Sequence, residues 1–528
     1  MKLFASFLFR NSVWPTAVLL SIVFLIAAAT AMTGKYDHDE EQYIAAAVLI
    51  QDHTLYRDFI YLQTPMYPIL MSPALGINPE PIYAAARWAS GTLFALCCLC
   101  AFVICARVCR SIWAGSAVAL LFCTSPLLLA AGGSARNDVL PCFFLLAGIL
   151  AALVGLDRRR EQPVWLASGA CFLSGLSFAL SVGTKLSYAF APVMAFLYLV
   201  RLGRADRPAG SAPVYLAGCA AGALPIAYYI LVAPHNFSYD TVVYHLTAPI
   251  DWYTRNELAD VLRLPHRLNS AARTVANDPP VLAALGVIAW WAFSRAASCD
   301  WRPMVGMLGR FPHGLVAFML VGSVPFGLLP SPMQGQYLIA VFALLIVLGV
   351  CSLSDGTARS LARLTVPGLI ILVGVGVGAL RTAPRLLRFV HPAAWSTTLL
   401  HEEALAMKAM LPAGSPCVAT LSPIRALEAG ARIYTELASG PFFFRSGDLL
   451  RPEQVKTLRG ASPSTLAQIL DEKPPAAVLV GYEGDDDWHI DLDGILVAYA
   501  ASRNYREISV PAGDSRLFLN PHVSASCS

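Results

Sequence analysis

Residues 13–43 read VWPTAVLLSIVFLIAAATAMTGKYDHDEEQY, a long apolar run that ends in an acidic cluster. A helix of about 20 apolar residues crosses a bilayer, so Val13–Met32 is predicted to span a membrane. The run exceeds the roughly 7–15 residues of a signal-peptide core, and we expect it to be retained. The carboxylates of Asp39 and Glu40 then lie where hydrocarbon meets water. Ala45–Ile50, which follows, predicts an amphipathic helix lying along that interface.

The composition indicates the class of protein. Hydrophobic residues make up 56% of the 528 residues and charged residues 14%, with a mean hydropathy of +0.58. A globular domain carries about 25% charged residues, so this is a polytopic membrane protein. The net charge is only +4 and the basic residues lie in small groups, which argues against a nucleic-acid partner.

Apolar runs of this length recur over the first three quarters of the chain. The predicted spans lie at about 13–32, 82–105, 112–131, 138–156, 163–182, 186–201, 212–233, 279–295, 314–330, 337–353 and 365–380. After residue 380, prolines, charges and short alternating runs take over. The sequence therefore predicts an α-helical polytopic membrane domain of about 11 transmembrane helices over 1–385. A soluble α/β domain is expected over 390–528, with Val478–Val480 in its core.

Positive charge predicts which side of the membrane each loop faces. The arginine-rich loops fall on one side, which is cytoplasmic by the positive-inside rule. They contain Lys2, Arg10, Arg107, Arg110, Arg158–Arg160, Arg201, Arg204, Arg207, Arg295, Arg302, Arg310, Arg359 and Arg363. The opposite side receives the acidic cluster, the Gly132–Asp138 loop, the Thr184–Lys185 hairpin, the 234–278 loop and the tail. In a bacterial inner membrane, that side is periplasmic.

The order of the short motifs resembles that of a known enzyme family. Asp39-Glu40-x-x-Tyr43, Tyr56-Arg57-Asp58, Thr64-Pro65, Arg136-x-Asp138 and Thr184-Lys185 follow one another. This succession, within about residues 13–380, is similar to the multispanning C-type glycosyltransferases. The closest group includes the protein O-mannosyltransferases and the bacterial transferases that decorate lipid A. The resemblance implies their fold and the transfer of one sugar from a polyprenyl-phosphate carrier by a single inverting displacement.

Acidic residues are the candidates for proton transfer. Glycosyl transfer needs a group that takes the proton of the acceptor hydroxyl, and a carboxylate can serve. Asp39 is the candidate base, with Glu40 and Asp138 as further catalytic candidates. The resemblance implies that the acidic residue matching Asp138 lies in the active site. The alternative is that these carboxylates solvate an interfacial loop or cap the helices that follow them.

Basic residues are the candidates for binding the leaving phosphate. Cationic side chains stabilise the negative charge that grows on a phosphate during transfer. Lys185, Arg136 and Arg57 are the first candidates, with Arg255 behind them. The lipid-phosphate donor itself is implied by the resemblance alone. Lys185 could instead extend from a helix end to the interface without a ligand.

A substrate pocket is predicted from Tyr43, Tyr61, Arg87, Gln336 and Tyr337. Arg87 lies at the start of the second span, where an unpaired charge is costly. We therefore expect it to face a cavity or a partner such as an acidic residue of the first loop. For Gln336 and Tyr337, a plain turn with an aromatic anchor is the preferred alternative.

The sequence does not require a cofactor. His38, His235 and His245 could hold a divalent ion together with Asp39, and some relatives in the resembled superfamily use one. No spacing of ligands demands it, so no metal ligand is assigned.

The C-terminal part contains two further patterns. Cys417 and Cys527 could pair if this part faces an oxidising compartment. Asp485–Asp487 is predicted to form a solvated turn rather than a calcium site, because it lacks the alternating ligands and glycine of a calcium loop.

The sequence thus predicts a membrane glycosyltransferase. Its expected partners are a polyprenyl-phosphate sugar donor, membrane lipids, and an acceptor that is a lipid, a glycan or a protein. One alternative is a transporter or flippase. The charged candidates argue against it, because they cluster at one face of the membrane rather than at the midplane. A catalytically inactive relative, whose outer domain binds a ligand, is the other.

Overall fold

The computed structural model describes residues 13–76, 81–156, 163–202, 210–296, 311–354, 361–483, 490–511 and 515–522. Helices dominate it. In chain order, those before the C-terminal part are α1 (Val13–Thr33), α2 (Glu40–Leu49), α3 (Met66–Gly76), α4 (Ile82–Cys109), α5 (Ile112–Thr124), α6 (Pro126–Gly133), α7 (Val139–Gly155), α8 (Val164–Thr184), α9 (Phe190–Arg201), α10 (Ser211–Val232), α11 (Pro234–Ser238), α12 (Tyr244–Arg255), α13 (Leu264–Ala276), α14 (Pro279–Ala296), α15 (His313–Leu328), α16 (Ile339–Cys351) and α17 (Leu361–Phe389).

The predicted apolar runs are all helical in the described residues. Six helical segments are long and apolar enough to cross a membrane by themselves, namely α1, α4, α8, α10, α17 and the segment 335–354 that contains α16. α5 and α6 pass the same test as a pair bent by 70°. α7, α9, α14 and α15 are apolar but shorter. The protein is therefore an integral, multi-pass membrane protein, and the number of crossings stays a prediction.

The bend between α5 and α6 follows from two adjacent residues. Pro126 lacks the N–H that would continue α5. The Ser125 hydroxyl accepts a hydrogen bond from the N–H of Leu128 at 3.3 Å and so caps α6.

Glycines allow a close helix contact between α8 and α10. A Cβ at Gly175 would lie 2.1 Å from the carbonyl oxygen of Tyr215, and one at Gly218 would lie 2.1 Å from that of Phe172. Small residues at such crossings let two backbones touch, which is how helices gain packing energy in lipid.

α2 differs from the prediction of an interfacial amphipathic helix. Residues Glu40–Ala47 are all buried, and Val48, Leu49 and Ile50 after them are partly exposed. Ala45 belongs to the same buried cluster as Met407 and Ala426 of the C-terminal part. The expectation was wrong because the C-terminal part covers the side of α2 that was predicted to face the interface.

The C-terminal part, residues 396–522, forms an α/β unit. Its elements are α18 (Ser396–Met410), β1 (Cys417–Ala419), α19 (Pro423–Glu428), β2 (Arg432–Ile433), α20 (Pro441–Gly447), α21 (Pro452–Thr457), α22 (Leu466–Glu472), β3 (Ala477–Val480), α23 (Asp493–Ser502), β4 (Arg506–Ser509) and β5 (Arg516–Leu519). The five strands lie in the order β2-β1-β3-β5-β4. β1 is parallel to both neighbours, whereas β5 is antiparallel to β3 and β4.

The structure bears on some of the predictions about this unit. Val478–Val480 lies in the buried strand β3, which confirms the expected core. Cys417 is disulfide-bonded, while Cys527 and Asp485–Asp487 lie outside the described residues.

Candidate active site

Charged side chains from three loops meet at one end of the helical bundle. Arg136, between α6 and α7, is the centre of this network. Its guanidinium pairs with Asp37 and Asp39 of the loop before α2, and its Nε lies 3.0 Å from Oδ2 of Asp138. Lys185, at the end of α8, pairs with the other oxygen of Asp138. Three carboxylates therefore face two buried cations.

Two of the three candidate catalytic carboxylates do not act as side-chain caps. Asp39 and Asp138 occupy the N-cap positions of α2 and α7, but neither side chain accepts a cap hydrogen bond. Their oxygens are directed to Arg136 and Lys185 instead. Capping therefore does not explain these side chains. Their exposure differs, with 20% for Asp39 and 2% for Asp138.

Lys185 is held inside the protein rather than at the lipid interface. Its side chain is 10% exposed, and Nζ lies 5.1 Å from the centroid of the Tyr337 ring. The backbone of Lys185 is extended between α8 and the short 3₁₀ turn Leu186–Tyr188, which directs the side chain back toward Asp138. This position places a cation and an aromatic face beside the carboxylates.

Tyrosines and an asparagine complete the polar surroundings. The Tyr43 ring lies 6.4 Å from that of Tyr61, and burial raises the pKa of the Tyr43 hydroxyl, with Asp138 and Asp39 adding to the effect. Asn137 donates to Gln63 and to the carbonyl of Thr184. Among the described residues, no partner faces Oδ1 of Asn137 or the hydroxyl of Tyr61. Such orphaned buried polar atoms are rare without a ligand or water.

Solved structures with this architecture exist, although no family model and no curated protein sequence matches the chain. ArnT from Cupriavidus metallidurans, bound to undecaprenyl phosphate, aligns with a TM-score of 0.60 at 11% identity, covering 98% of this chain and 100% of that one. The oligosaccharyltransferase AglB from Archaeoglobus fulgidus, with an inhibitory peptide and a dolichol-phosphate, aligns with a TM-score of 0.53 at 12% identity, covering 97% and 75%.

The chain shares the fold of these two proteins, which are C-type glycosyltransferases. This confirms the fold that the order of motifs predicted.

Glu40 is buried beside the network, and its oxygens bind groups other than Arg136 and Lys185. Its oxygens accept hydrogen bonds from Tyr83, Arg87 and the N–H of Ala135. The side chains of Arg87 and Glu40 are both fully buried, and Nη2 of Arg87 lies 2.6 Å from Oε2 of Glu40. The predicted acidic partner of Arg87 in the first loop is therefore confirmed.

Two predicted site residues, Arg57 and Arg255, lie apart from the network. Arg57 is 58% exposed and pairs with its neighbour Asp58, and Arg255 is exposed at the end of α12. Within the described ranges, neither forms an ion pair with Asp37, Asp39 or Asp138. Gln336 is half-buried in the 3₁₀ turn that also carries Tyr337.

The sequence did not single out Asp37 or the position of His38. Asp37 is the third carboxylate bound to Arg136, which only the fold of the loop reveals. The ring of His38 lies 5.4 Å from that of Phe442 in the C-terminal unit, and Nε2 lies 3.5 Å from Oδ1 of Asp39.

A divalent ion would find ligands at Asp37, His38 and Asp39, whose ligand atoms lie within 4.8 Å of one another. Two carboxylates and an imidazole suit a divalent transition metal. However, the guanidinium of Arg136 already pairs with both carboxylates. It does so through Oδ2 of each, which leaves Oδ1 of Asp39 beside Nε2 of His38. The three residues therefore fit a divalent ion, and no chemical step is assigned to one.

Proposed function

We propose that this protein transfers a sugar from a polyprenyl-phosphate carrier to an acceptor at the outer face of the membrane, by a single inverting displacement. The observation that carries the proposal is the network in which Arg136 joins Asp39 to Asp138 and Asp138 joins Arg136 to Lys185. It combines a partly exposed base with two buried cations at one end of a C-type bundle.

Asp39 has the position that a general base requires. It is the more exposed of the two candidate carboxylates, so an acceptor hydroxyl can approach one of its oxygens while Arg136 holds the other. Proton removal by a positioned carboxylate supports attack of the hydroxyl oxygen on the anomeric carbon. The configuration inverts because the acceptor attacks the anomeric carbon directly, without a covalent glycosyl-enzyme formed first by a carboxylate.

Arg136 and Lys185 are proposed to stabilise the leaving phosphate. Both are buried, and charge-assisted hydrogen bonds to phosphate strengthen when water is excluded. Asp138 contacts both cations and so acts as a positioning residue for them. Arg57 and Arg255, which are exposed, are placed outside this phosphate site.

The donor sugar is proposed to contact the orphaned polar atoms of Tyr61 and Asn137. These atoms are buried without a partner in the described structure and can bind sugar hydroxyls. A site built to hydrogen-bond a hydroxyl discriminates strongly against a sugar that lacks it, by about 10⁴–10⁵ in comparable systems.

Further observations support the proposed lipid carrier and the proposed side of the membrane. The similar structures were determined with undecaprenyl phosphate and with dolichol-phosphate bound. The positive-inside pattern supports an outer, periplasmic position of the site and of a separate domain over 390–528. A transporter remains the second candidate, but the network lies at one end of the bundle and not at its middle.

The test is transfer of labelled sugar from synthetic polyprenyl-phosphate donors by the purified protein in detergent. Several sugars and acceptors are tried, and the anomeric configuration of the product is determined by NMR. We expect transfer with inversion for at least one donor. Retention of configuration would contradict the single displacement, and movement of a lipid-linked sugar across proteoliposomes without transfer would favour the transporter.

A further inference from the structure

Three consecutive carboxylates at the start of α2 are each bound by an arginine from a different part of the chain. Asp39 pairs with Arg136 and Glu40 with Arg87, both from the helical bundle. Glu41 pairs instead with Arg425 of α19, in the C-terminal unit. The helix that follows the candidate base is thus attached to the C-terminal unit as well as to the bundle.

The contact around Glu41 is built and buried. Oε2 of Glu41 accepts a hydrogen bond from the N–H of Ile424 at 2.6 Å, and Oε1 lies 3.4 Å from Nη1 of Arg425. The hydroxyl of Tyr36 also donates to Oε1. The whole Glu41 side chain is inaccessible to solvent.

Arg425 contacts two aromatic rings and a second carboxylate besides Glu41. Its guanidinium carbon lies 4.4 Å from the centroid of the Tyr36 ring and 3.6 Å from that of Tyr482. Nε donates to Glu403 at 3.2 Å. The planar guanidinium therefore links the loop before α2 to α18 and to the end of β3, which a lysine would not do in the same way.

Two further hydrogen bonds join the C-terminal unit to the bundle nearby. Glu428 of α19 accepts the N–H of Tyr83 at the start of α4, at 2.9 Å. Nη1 of Arg87 donates to the hydroxyl of Ser396 at 3.1 Å. The loop that carries Asp39 is therefore joined to two parts of the chain.

We propose that Arg425 is a positioning residue for Asp39: by holding Glu41, it fixes the start of α2 and with it the candidate base against Arg136. The inference rests on the proposed function, because it assigns the C-terminal unit a role in the geometry of that same site. Asp39 is only two residues from Glu41. A displacement of about 1 Å at a reacting group can cost about 10² in rate.

The experiment compares Arg425→Ala and Arg425→Lys with Arg503→Ala in the full-length protein. Arg503 pairs with Asp471 on the exposed surface of the same unit, so its loss is a matched control for removal of an arginine. Three quantities are measured: kcat and KM for sugar transfer, the Kd for polyprenyl phosphate, and amide hydrogen exchange of residues 34–43. The N–H groups of Glu40 and Glu41 are bonded to the carbonyls of Asp37 and His38, so they report on the loop directly.

Arg425→Ala is expected to accelerate exchange in 34–43 and to lower kcat by about 10²-fold, with little change in the Kd for polyprenyl phosphate. Arg425→Lys is expected to recover part of kcat, and Arg503→Ala to match the parent. Unchanged exchange in 34–43 would overturn the proposal, as would faster exchange with an unchanged kcat.

A second pair of variants covers the case in which Arg425→Ala does not fold. Glu41→Gln keeps an oxygen for the N–H of Ile424, whereas Glu41→Ala removes it. We expect the first to retain kcat within about threefold and the second to lose it as Arg425→Ala does. A kcat at the parent's level for Glu41→Ala would overturn the proposal. Absence of transfer by the parent with every donor refutes the proposed function instead, and hydrogen exchange then decides whether Arg425 holds the loop.

Discussion

At the scale of single residues, Asp39 and Asp138 share Arg136 but differ in access. Asp39→Asn keeps the shape of the side chain and an oxygen for Arg136, yet an amide cannot accept a proton from the acceptor. Sugar transfer should therefore fall by about 10²–10⁴-fold, while binding of polyprenyl phosphate stays unchanged. The same measurements on Asp471→Asn, an exposed carboxylate, serve as the control. If Asp39→Asn keeps more than about a tenth of the rate, Asp39 is not the base.

Lys185 should behave differently because a phosphate contact exists before the reaction as well as during it. Lys185→Ala is expected to weaken polyprenyl-phosphate binding by about 10- to 100-fold, as loss of a charge-assisted hydrogen bond predicts, and to lower turnover too. Binding is measured by calorimetry with the purified protein in detergent. Lys456→Ala, on the exposed side of α21, is the matched control. An unchanged Kd would remove Lys185 from the phosphate site.

At the scale of elements, the contact between α2 and α19 should depend on pH. Burial raises the pKa of Glu41 to about 7, although Arg425 and the hydrogen bonds from Tyr36 and Ile424 lower it. Glu40 is the other charged neighbour on its own helix. Two carboxylates, Glu41 and Glu403, share the guanidinium of Arg425. Tyr482 and the pair of His401 with Glu428 are the further titratable groups at this contact.

The direction of this pH dependence follows from which state, folded or unfolded, binds more protons. The pKa of Glu41 is higher in the folded protein than its ordinary value of 4.5, so the folded state holds more protons than the unfolded state between the two values. Stability contributed at Glu41 is therefore fully present below about pH 4.5 and is lost as pH rises toward about 7.

Thermal unfolding between about pH 5 and pH 7.5 measures this dependence. The melting temperature of the parent should fall as pH rises over this range. That of Glu41→Gln should fall less, because the amide does not ionise. His401 and Glu428 are present in both proteins, so the difference between them isolates Glu41. Identical pH profiles would show that Glu41 does not titrate in this window.

At the scale of the whole molecule, the side of the membrane is the main prediction. Asp52 and the C-terminal unit should both lie on the non-cytoplasmic side, since the arginine-rich loops lie opposite them. Single cysteines introduced at the exposed positions Asp52, Glu507 and Arg110 are labelled with a membrane-impermeant reagent in intact cells. Asp52→Cys and Glu507→Cys should react, and Arg110→Cys should react only after the membrane is opened. Opposite results for Asp52 and Glu507 would show that the number of spans is wrong.

Much of the architecture could be predicted from local sequence. A segment in lipid must satisfy its own backbone hydrogen bonds, so the length of an apolar run indicates a helix without knowledge of its neighbours. The cost of a charge in such a run predicted a partner for Arg87, which proved to be Glu40. The short motifs around Asp39, Arg136, Asp138 and Lys185 were also recognisable in order, although their separation in the chain gave no distances.

Other features were decided only by the tertiary structure. Ala45–Ile50 is apolar whether it contacts lipid or protein, so composition predicted an interface where the C-terminal unit packs instead. Arg57 belongs to a short motif, as Arg136 does, yet it is exposed and pairs with Asp58. Arg425 lies 384 residues from Glu41 and belongs to no motif. The sequence by itself determined the membrane helices and the kinds of groups at their ends, because those depend on neighbouring residues. Which carboxylate meets which arginine depends on contacts between distant segments, and only the folded chain brings these together.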